Sequence, residues 1–299
     1  MFDTIVVNPL TNLVLGFYLL FGSNLGFAII FFTIFLRIIL LPLTIKQIQQ
    51  QKKMADLQPK IQELQSKRKD AAQMTPEEMA LMKQTAGSCV GGCLPILIQI
   101  PILIGLNIVI ANIASVNSDP NKGGDFFNNI LYFDFLRHSV DYLFNTSFLG
   151  FDLAEIPQRI GLQWSIWPYA LLIILLVVTQ FIQSKIVNSA QQKRAESLKK
   201  KNKANKKKLT KEEKEREEMQ EAMNKWTQMQ LTYFLPLMVG IGAYSFSAAL
   251  GLYWLVQNIF AIGQTIVQYR HADGKLNWAS IKEDIRNYQN KIFRTKKEK

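Results

Sequence analysis

The sequence predicts an all-α membrane protein with five transmembrane helices, an N-terminus on the outer side and a C-terminus in the cytoplasm. Of its 299 residues, 48% are hydrophobic, yet the formal net charge is +12. The charges are concentrated between long uncharged blocks. A helix needs roughly 20 apolar residues to cross about 30 Å of hydrocarbon, and these blocks approach that length. Because backbone groups find no water partner in lipid, the crossing segments are expected to be helices.

Five predicted spans follow from the uncharged blocks. They comprise residues 25–45, 91–111, 166–185, 228–248 and 251–270. The last two share one block, because no charged residue occurs between Leu231 and Tyr269. A single helix of that length would reach about 58 Å, which is nearly twice the thickness of the hydrocarbon core. The block is therefore predicted to fold back on itself, with the turn at Ala248–Gly251.

The outer segments are predicted to be a short helix and a loop. Residues 1–24 contain an apolar stretch, Pro9 to Phe21, that is too short to span the bilayer. We interpret it as an amphipathic helix lying in the membrane interface. Residues 112–165 are predicted to form an extracytoplasmic loop, whose aromatic side chains suit an interfacial belt.

The cytoplasmic segments are polar. Residues 46–90 predict a helical hairpin, because apolar side chains recur at helical spacing in its first half. The sequence Thr75-Pro76-Glu77-Glu78 is typical of the start of its second helix. Residues 186–227 form a basic loop and residues 271–299 a basic tail.

The orientation follows from the lysines and arginines between the spans. The segments after the first, third and fifth spans carry 8, 14 (counting Lys185) and 9 (counting Arg270) of them. The loop after the second span carries 3, and the turn after the fourth carries none. Because basic loops stay in the cytoplasm, the alternation predicts an outer N-terminus and a cytoplasmic C-terminus.

Arg37 is the one charged residue placed well inside a span. It lies 12 residues after the start of the first span, or about 18 Å along a helix. A lipid-facing arginine at the centre of a span costs roughly 2.5–3.5 kcal/mol. Its long side chain could reach the cytoplasmic headgroups, or it could face a hydrated cavity that opens to the cytoplasm. Position alone leaves both interpretations open.

Other polar residues in the uncharged blocks bear on this choice. Thr33 precedes Arg37 by one helical turn, and six amides lie in other spans: Gln99, Gln180, Gln183, Gln257, Asn258 and Gln264. They could hydrate a shared groove, or they could join helices by hydrogen bonds worth about 0.6 kcal/mol each. No span contains an acidic residue, so Arg37 has no predicted internal counter-ion and is suited to receive a negative charge from elsewhere.

The sequence contains no pattern typical of an enzyme. We find no nucleotide-binding loop, no nucleophile triad and no metal-ligand cluster. Cys89 and Cys93 have no histidine near them, so we predict reduced thiols and neither a metal nor another cofactor.

In order along the chain, several short sequences resemble the YidC/Oxa/Alb family of membrane protein insertases. They are Thr33-Ile34-Phe35-Leu36-Arg37 with Leu41-Pro42-Leu43-Thr44, Gly91-Gly92-Cys93-Leu94-Pro95 with Gln99-Ile100-Pro101, Leu149-Gly150-Phe151-Asp152-Leu153, and Gly251-Leu252-Tyr253-Trp254 with Asn258 and Gln264. The sequence departs from the family at Ser88-Cys89-Val90, where the family usually has Asn-Pro before the glycine pair.

The resemblance implies a five-helix core with a hydrophilic groove that opens to the cytoplasm and to lipid. Arg37 matches the arginine of this groove. The resemblance also implies that Thr33, Gln183 and Trp254 line the groove or contact substrate, with Gln180 as their neighbour. Gln99, Tyr253, Gln257, Asn258 and Gln264 are candidates for either the groove or helix packing.

The predicted function is that of an insertase and chaperone in the bacterial plasma (inner) membrane. Nascent membrane proteins are the predicted substrates. The predicted partners are the ribosome, through the basic loop and tail, anionic lipids, and the Sec translocon. An alternative is an anion channel or small-solute transporter that uses Arg37, which would need a polar path through both leaflets or an inverted repeat. A chaperone that assembles membrane proteins without translocating them would use the same groove.

Overall fold

A computed structural model of the chain describes residues 1–66, 76–119, 127, 129–134, 136, 143–161, 163–203 and 211–270. The predicted hairpin turn and the basic tail at 271–299 lie outside these residues. The side chains of Cys89 and Cys93 also lie outside the description.

The described chain is almost entirely helical. The helices are α1 (Asn8–Leu20), α2 (Leu25–Ser66), α3 (Pro76–Ser118), α4 (Pro157–Ile160), α5 (Trp167–Lys203), α6 (Lys211–Met229), α7 (Leu235–Ser245) and α8 (Ala248–Arg270). π-Helical turns, Asp3–Val7 and Gln230–Phe234, precede α1 and α7 respectively, and a 3-10 turn, Trp164–Ile166, leads into α5. Two short antiparallel strands, β1 (Ser147–Phe148) and β2 (Phe151–Asp152), form a hairpin in the outer loop.

The protein is a multi-pass membrane protein with five helical segments long and apolar enough to cross a bilayer. These are Asp3–Leu20, Leu25–Gln47, Gln99–Ser118, Trp164–Ser189 and Ala248–Val267. The number of these segments equals the number of predicted spans, but the two sets do not contain the same segments. The N-terminal segment qualifies by length and hydropathy, whereas the predicted fourth span is divided between a π-helical turn and the 11-residue helix α7. The interfacial position of the first segment and the fourth span remain predictions.

The reversal between the last two predicted spans occurs before the predicted position. Ala248–Gly251 forms the first turn of α8, and the chain reverses at Phe246 and Ser247. The outer loop makes this helix start possible, because its carbonyl groups accept hydrogen bonds from amides that have no partner within the helix. The Ala248 amide donates to Glu155 O at 2.9 Å and the Ala249 amide to Leu153 O at 2.8 Å.

The apolar core lies at one end of the helix assembly. It joins α1, the beginning of α2, the second half of α3, the outer loop and the beginnings of α5 and α8. Leu25, Ile29, Phe32 and Ile113 are fully buried there. Gly26 lets the ring of Phe148 in β1 approach α2, since a Cβ atom at this position would overlap that ring.

Large apolar side chains also cover the outside of the helices. Exposed examples are Ile38 and Ile39 on α2 and Ile174, Leu175 and Val178 on α5. A water-soluble protein rarely exposes apolar patches of this extent, whereas acyl chains solvate them well. The burial pattern therefore agrees with spans that face lipid.

Candidate functional site

Two neighbouring cavities lie between α2, α3, α5, α7 and α8, on the side of the apolar core that leads toward the long polar ends of α2 and α5. We call the larger one, of about 430 Å³, the polar cavity. It is lined by Arg37, Thr44, Gln47, Gln99, Ile100, Leu103, Gln180, Gln183, Val187, Leu235, Val239, Trp254, Gln257, Asn258, Ala261, Gln264 and Thr265. The smaller one, the arginine pocket, has about 50 Å³ and is lined by Thr33, Leu36, Arg37, Leu40, Leu43, Thr44, Gln47, Gln99 and Tyr253.

Helical periodicity aligns the polar side chains. On α2, Thr33, Arg37, Thr44 and Gln47 recur at helical intervals and share one face. On α8, the cavity residues from Trp254 to Thr265 do the same. Packing of α8 against both α2 and α5 brings these faces together. The ten residues singled out from the sequence all line one or both cavities.

Arg37 lies where the two cavities meet and lines both. Among the described residues, neither an ion pair nor a hydrogen bond is found for its guanidinium. Thr33, one turn earlier, is buried, and its hydroxyl donates to the Ile29 carbonyl of its own helix. Arg37 therefore presents a charge to the cavities that no described side chain neutralises.

Gln99, Tyr253 and Gln257 form a hydrogen-bonded cluster that joins α3 to α8. The Gln99 amide nitrogen donates to the Tyr253 hydroxyl at 2.6 Å and to Gln257 Oε1 at 3.2 Å. The Gln257 amide nitrogen donates back to Gln99 Oε1 at 2.7 Å. These side chains line the cavities while their polar atoms bind one another, so Gln99 and Gln257 join helices as well as face the site.

Asn258 forms a weaker link on the other side of α8. Its amide nitrogen lies 3.5 Å from the Thr179 hydroxyl of α5. Trp254, one turn before Asn258, packs edge-on against Phe246 with ring centroids 6.5 Å apart, and so supports the reversal between α7 and α8.

Gln183 on α5 and Gln264 on α8 retain unused hydrogen-bonding capacity. Gln183 Oε1 and Gln264 Nε2 are buried and have no hydrogen-bond partner in the described protein. An unpaired buried polar group costs about 1–3 kcal/mol, so water or a polar ligand group at these atoms would relieve an existing penalty. Gln180 lies beside Gln183 on the cavity wall.

Comparison with known proteins identifies the family. The model of the family described as "60Kd inner membrane protein" matches residues 16–275. The chain is 30% identical over 270 residues to the membrane protein insertase MisCA of Bacillus subtilis, covering 89% of this chain and 78% of that protein. It is 29% identical over 275 residues to the membrane protein insertase YidC of Oceanobacillus iheyensis, covering 89% and 82%.

The chain belongs to the 60 kDa inner membrane protein family, the YidC/Oxa/Alb insertases. A third relative, membrane protein insertase YidC 2 of Listeria innocua, is 29% identical over 267 residues and is covered over 70% of its length. These relatives are named as insertases and not as enzymes, and nascent membrane proteins are the substrates that such a role implies.

Sequence reasoning missed three polar residues of the site in this insertase. Thr44, Gln47 and Thr265 line the polar cavity, and Gln47 is 4% exposed. Thr44 and Gln47 continue the helical spacing of Thr33 and Arg37, so following that face to the predicted end of the span at residue 45 would have found Thr44, and extending it by one more turn would have found Gln47. Thr265 directly follows Gln264, which the sequence did single out.

The described residues offer few of the groups that a metal site needs. Among them, no group of three histidine, cysteine or acidic side chains is close enough to hold a metal ion. The described lining therefore consists of one cation, several amides and hydroxyls, and apolar side chains. These groups can bind, orient and hydrate a polypeptide.

Proposed function

We propose that this insertase holds the hydrophilic end of a nascent membrane protein in the polar cavity, opposite Arg37, while the adjoining apolar segment moves into the bilayer of the bacterial plasma membrane. The observation that carries the proposal is the unneutralised guanidinium at the junction of two cavities. A carboxylate in a short leading segment would supply the negative charge that pairs with this guanidinium.

Hydration is the first physical step. The polar cavity, of about 430 Å³, has room for several water molecules and is partly open. The unpartnered atoms of Gln183 and Gln264 would hold such water or a polar group of the substrate. A polar segment in this cavity keeps hydrogen-bond partners for part of its path, which lowers the cost of leaving water.

Burial of the apolar segment provides the driving force. Each Å² of apolar surface removed from water contributes roughly 25 cal/mol. The exposed apolar faces of α5 and α8, which include Ile174, Val178, Ile259 and Ile266, offer a lipid-facing surface along which the segment would leave. No covalent chemistry is required.

The asymmetry of the molecule supports insertion over conduction. The polar cavity leads toward the long helical extensions of α2 and α5, and these belong to segments rich in lysine and arginine, which favours a cytoplasmic opening. Beyond Thr33, α2 enters the apolar core at Phe32 and Ile29. An anion channel would need a polar path past this core, and none of the relatives quoted above is named as a channel.

The basic segments provide a basis for the remaining partners. The polar part of α5, which ends at Lys203, and the predicted tail carry clustered lysines. We propose that they bind ribosomal RNA or anionic lipid, since both present phosphate groups to lysine. Cooperation with the Sec translocon belongs to the same proposal.

The proposal is tested in proteoliposomes supplied with ribosome-synthesised single-span substrates that have an acidic leading end. Arg37→Ala should lower insertion about tenfold, equivalent to about 1.4 kcal/mol, because it removes the positive charge that would pair with the acidic leading end of the substrate. Arg37→Lys should retain most of the activity. Arg159→Ala removes one exposed charge from the outer loop and serves as the control. Unchanged insertion by Arg37→Ala would contradict the proposal, and anion flux through the same liposomes would favour the channel.

A further inference from the structure

The helix α6 carries an exposed apolar face that the polar cavity does not explain. Met219, Met223, Trp226 and Met229 recur at intervals of four, three and three residues and are 66%, 65%, 58% and 53% exposed. We call these four residues the methionine face. The rest of α6 is strongly charged, with six glutamates and four lysines or arginines between Lys211 and Met229.

The methionine face continues into a surface that is expected to meet lipid. The chain stays helical from α6 through the π-helical turn into α7. Tyr233, Phe234 and Leu237 follow the methionine face and are also exposed. Large apolar side chains therefore continue from the charged helix to the predicted fourth span.

Lipid alone cannot cover the whole of the methionine face. The predicted span begins at residue 228, so Met219 lies about 13 Å beyond it along a helix that continues the direction of α7. The headgroup region is only about 5–7 Å thick on each side. Trp226 would then lie among the headgroups, whereas Met219 would extend past them. In addition, α6 packs against α2.

The charged residues of α6 indicate which of the remaining candidate partners fits the methionine face. At the end of the methionine face farthest from the predicted span, the stretch from Lys211 to Glu218 carries five glutamates and three lysines or arginines. Lys211, Lys214, Glu215 and Glu218 are exposed there, and Lys225 is exposed at the near end. Anionic headgroups would be repelled by this net excess of carboxylates. A second copy of α6 would bring its own six glutamates against the first set. A basic segment, in contrast, would be attracted by the excess of glutamates on α6.

We propose that the methionine face is a docking surface for the cytoplasmic flank of a substrate, namely an apolar run followed by lysine or arginine. The apolar run would lie along Met219 to Met229 and the basic residues beside Glu215 and Glu218. Flexible thioethers accommodate apolar side chains of varied shape, which suits many different substrates. The proposal rests on the proposed function and adds to it, because Arg37 would receive the leading end while α6 holds the trailing flank on the cytoplasmic side.

The test uses the full chain in proteoliposomes, with a photo-reactive phenylalanine derivative at position 223. Two ribosome-bound single-span substrates share one apolar segment, and their cytoplasmic flanks carry either four lysines or four glutamates. We expect crosslinking to the lysine-flanked substrate to be about fivefold stronger, which corresponds to about 1 kcal/mol. Glu215→Lys with Glu218→Lys should reverse the preference. Glu155→Lys, at an exposed position on the outer loop, is the control for net charge and should leave the preference unchanged.

Four outcomes would overturn the docking surface: equal crosslinking to both flanks, no reversal in the charge-swapped variant, crosslinks only to lipid or a second copy, or crosslinks only within the same chain. Arg37→Ala is measured in parallel. If it leaves insertion intact while the flank preference stands, the proposed function fails and the docking surface survives. If it abolishes insertion while the flank preference is absent, the docking surface fails alone.

Discussion

Removal of the hydrogen-bonded cluster of Gln99, Tyr253 and Gln257 should destabilise the helix assembly in graded steps. Interhelical hydrogen bonds in membrane proteins contribute about 0.6 kcal/mol on average. Tyr253→Phe removes one bond of the cluster, Gln257→Ala removes two and Gln99→Ala removes all three. The expected losses in the free energy of unfolding are therefore about 0.6, 1.2 and 1.8 kcal/mol.

A double substitution separates packing from substrate binding. Gln99→Leu alone leaves Gln257 and Tyr253 with unpaired polar atoms, whereas Gln99→Leu with Gln257→Leu, made in the Tyr253→Phe background, replaces every partner by an apolar group of similar size. Replacing all partners of a hydrogen bond by apolar groups can leave the free energy of unfolding nearly unchanged. We expect the double variant to regain most of the stability that either single variant loses, and to keep most of the insertion activity.

Denaturant unfolding in detergent micelles measures the stabilities, and the proteoliposome assay measures insertion. Two results would refute the reasoning. One is a loss for Tyr253→Phe as large as that for Gln99→Ala. The other is a stable double variant that no longer inserts substrate, because Gln99 and Gln257 would then act on the substrate rather than on each other.

Two further predictions concern packing and the cavity wall. Gly26→Ala should lower the free energy of unfolding by about 1–3 kcal/mol, because the new Cβ atom would overlap the Phe148 ring. Gly16→Ala should be neutral or slightly stabilising, because no atom lies within 4 Å of the new Cβ atom. Thermal unfolding in detergent compares the two variants, and equal effects would contradict the packing argument. Gln183→Leu with Gln264→Leu should raise the free energy of unfolding by about 1 kcal/mol or more, because it removes buried polar atoms that have no hydrogen-bond partner. The same variant should insert less substrate, because those atoms help to hydrate the polar cavity. Unchanged insertion would show that these two residues do not belong to the proposed site.

Much of the fold could be predicted from sequence because the bilayer acts on each segment separately. A long uncharged block must become a helix wherever it crosses hydrocarbon, whatever its neighbours are. Four of the five segments long and apolar enough to cross a bilayer, and the family, followed from this constraint and from short sequences read in order. Most of the polar residues of the site were visible for the same reason, since Arg37 and the amides inside the predicted spans are costly in lipid and therefore stand out.

The tertiary structure determines which of these polar residues form hydrogen bonds with one another. Gln99 and Gln257 are 158 positions apart, and no local pattern tells that they bind each other while Gln183 and Gln264 keep unpaired atoms. The start of α8 depends likewise on carbonyl groups of a loop about 95 residues earlier, at Leu153 and Glu155. The sequence alone determined which segments leave water, because transfer into hydrocarbon is a property of each segment. Pairing between distant polar groups depends on how the helices pack, so only the assembled structure could decide it.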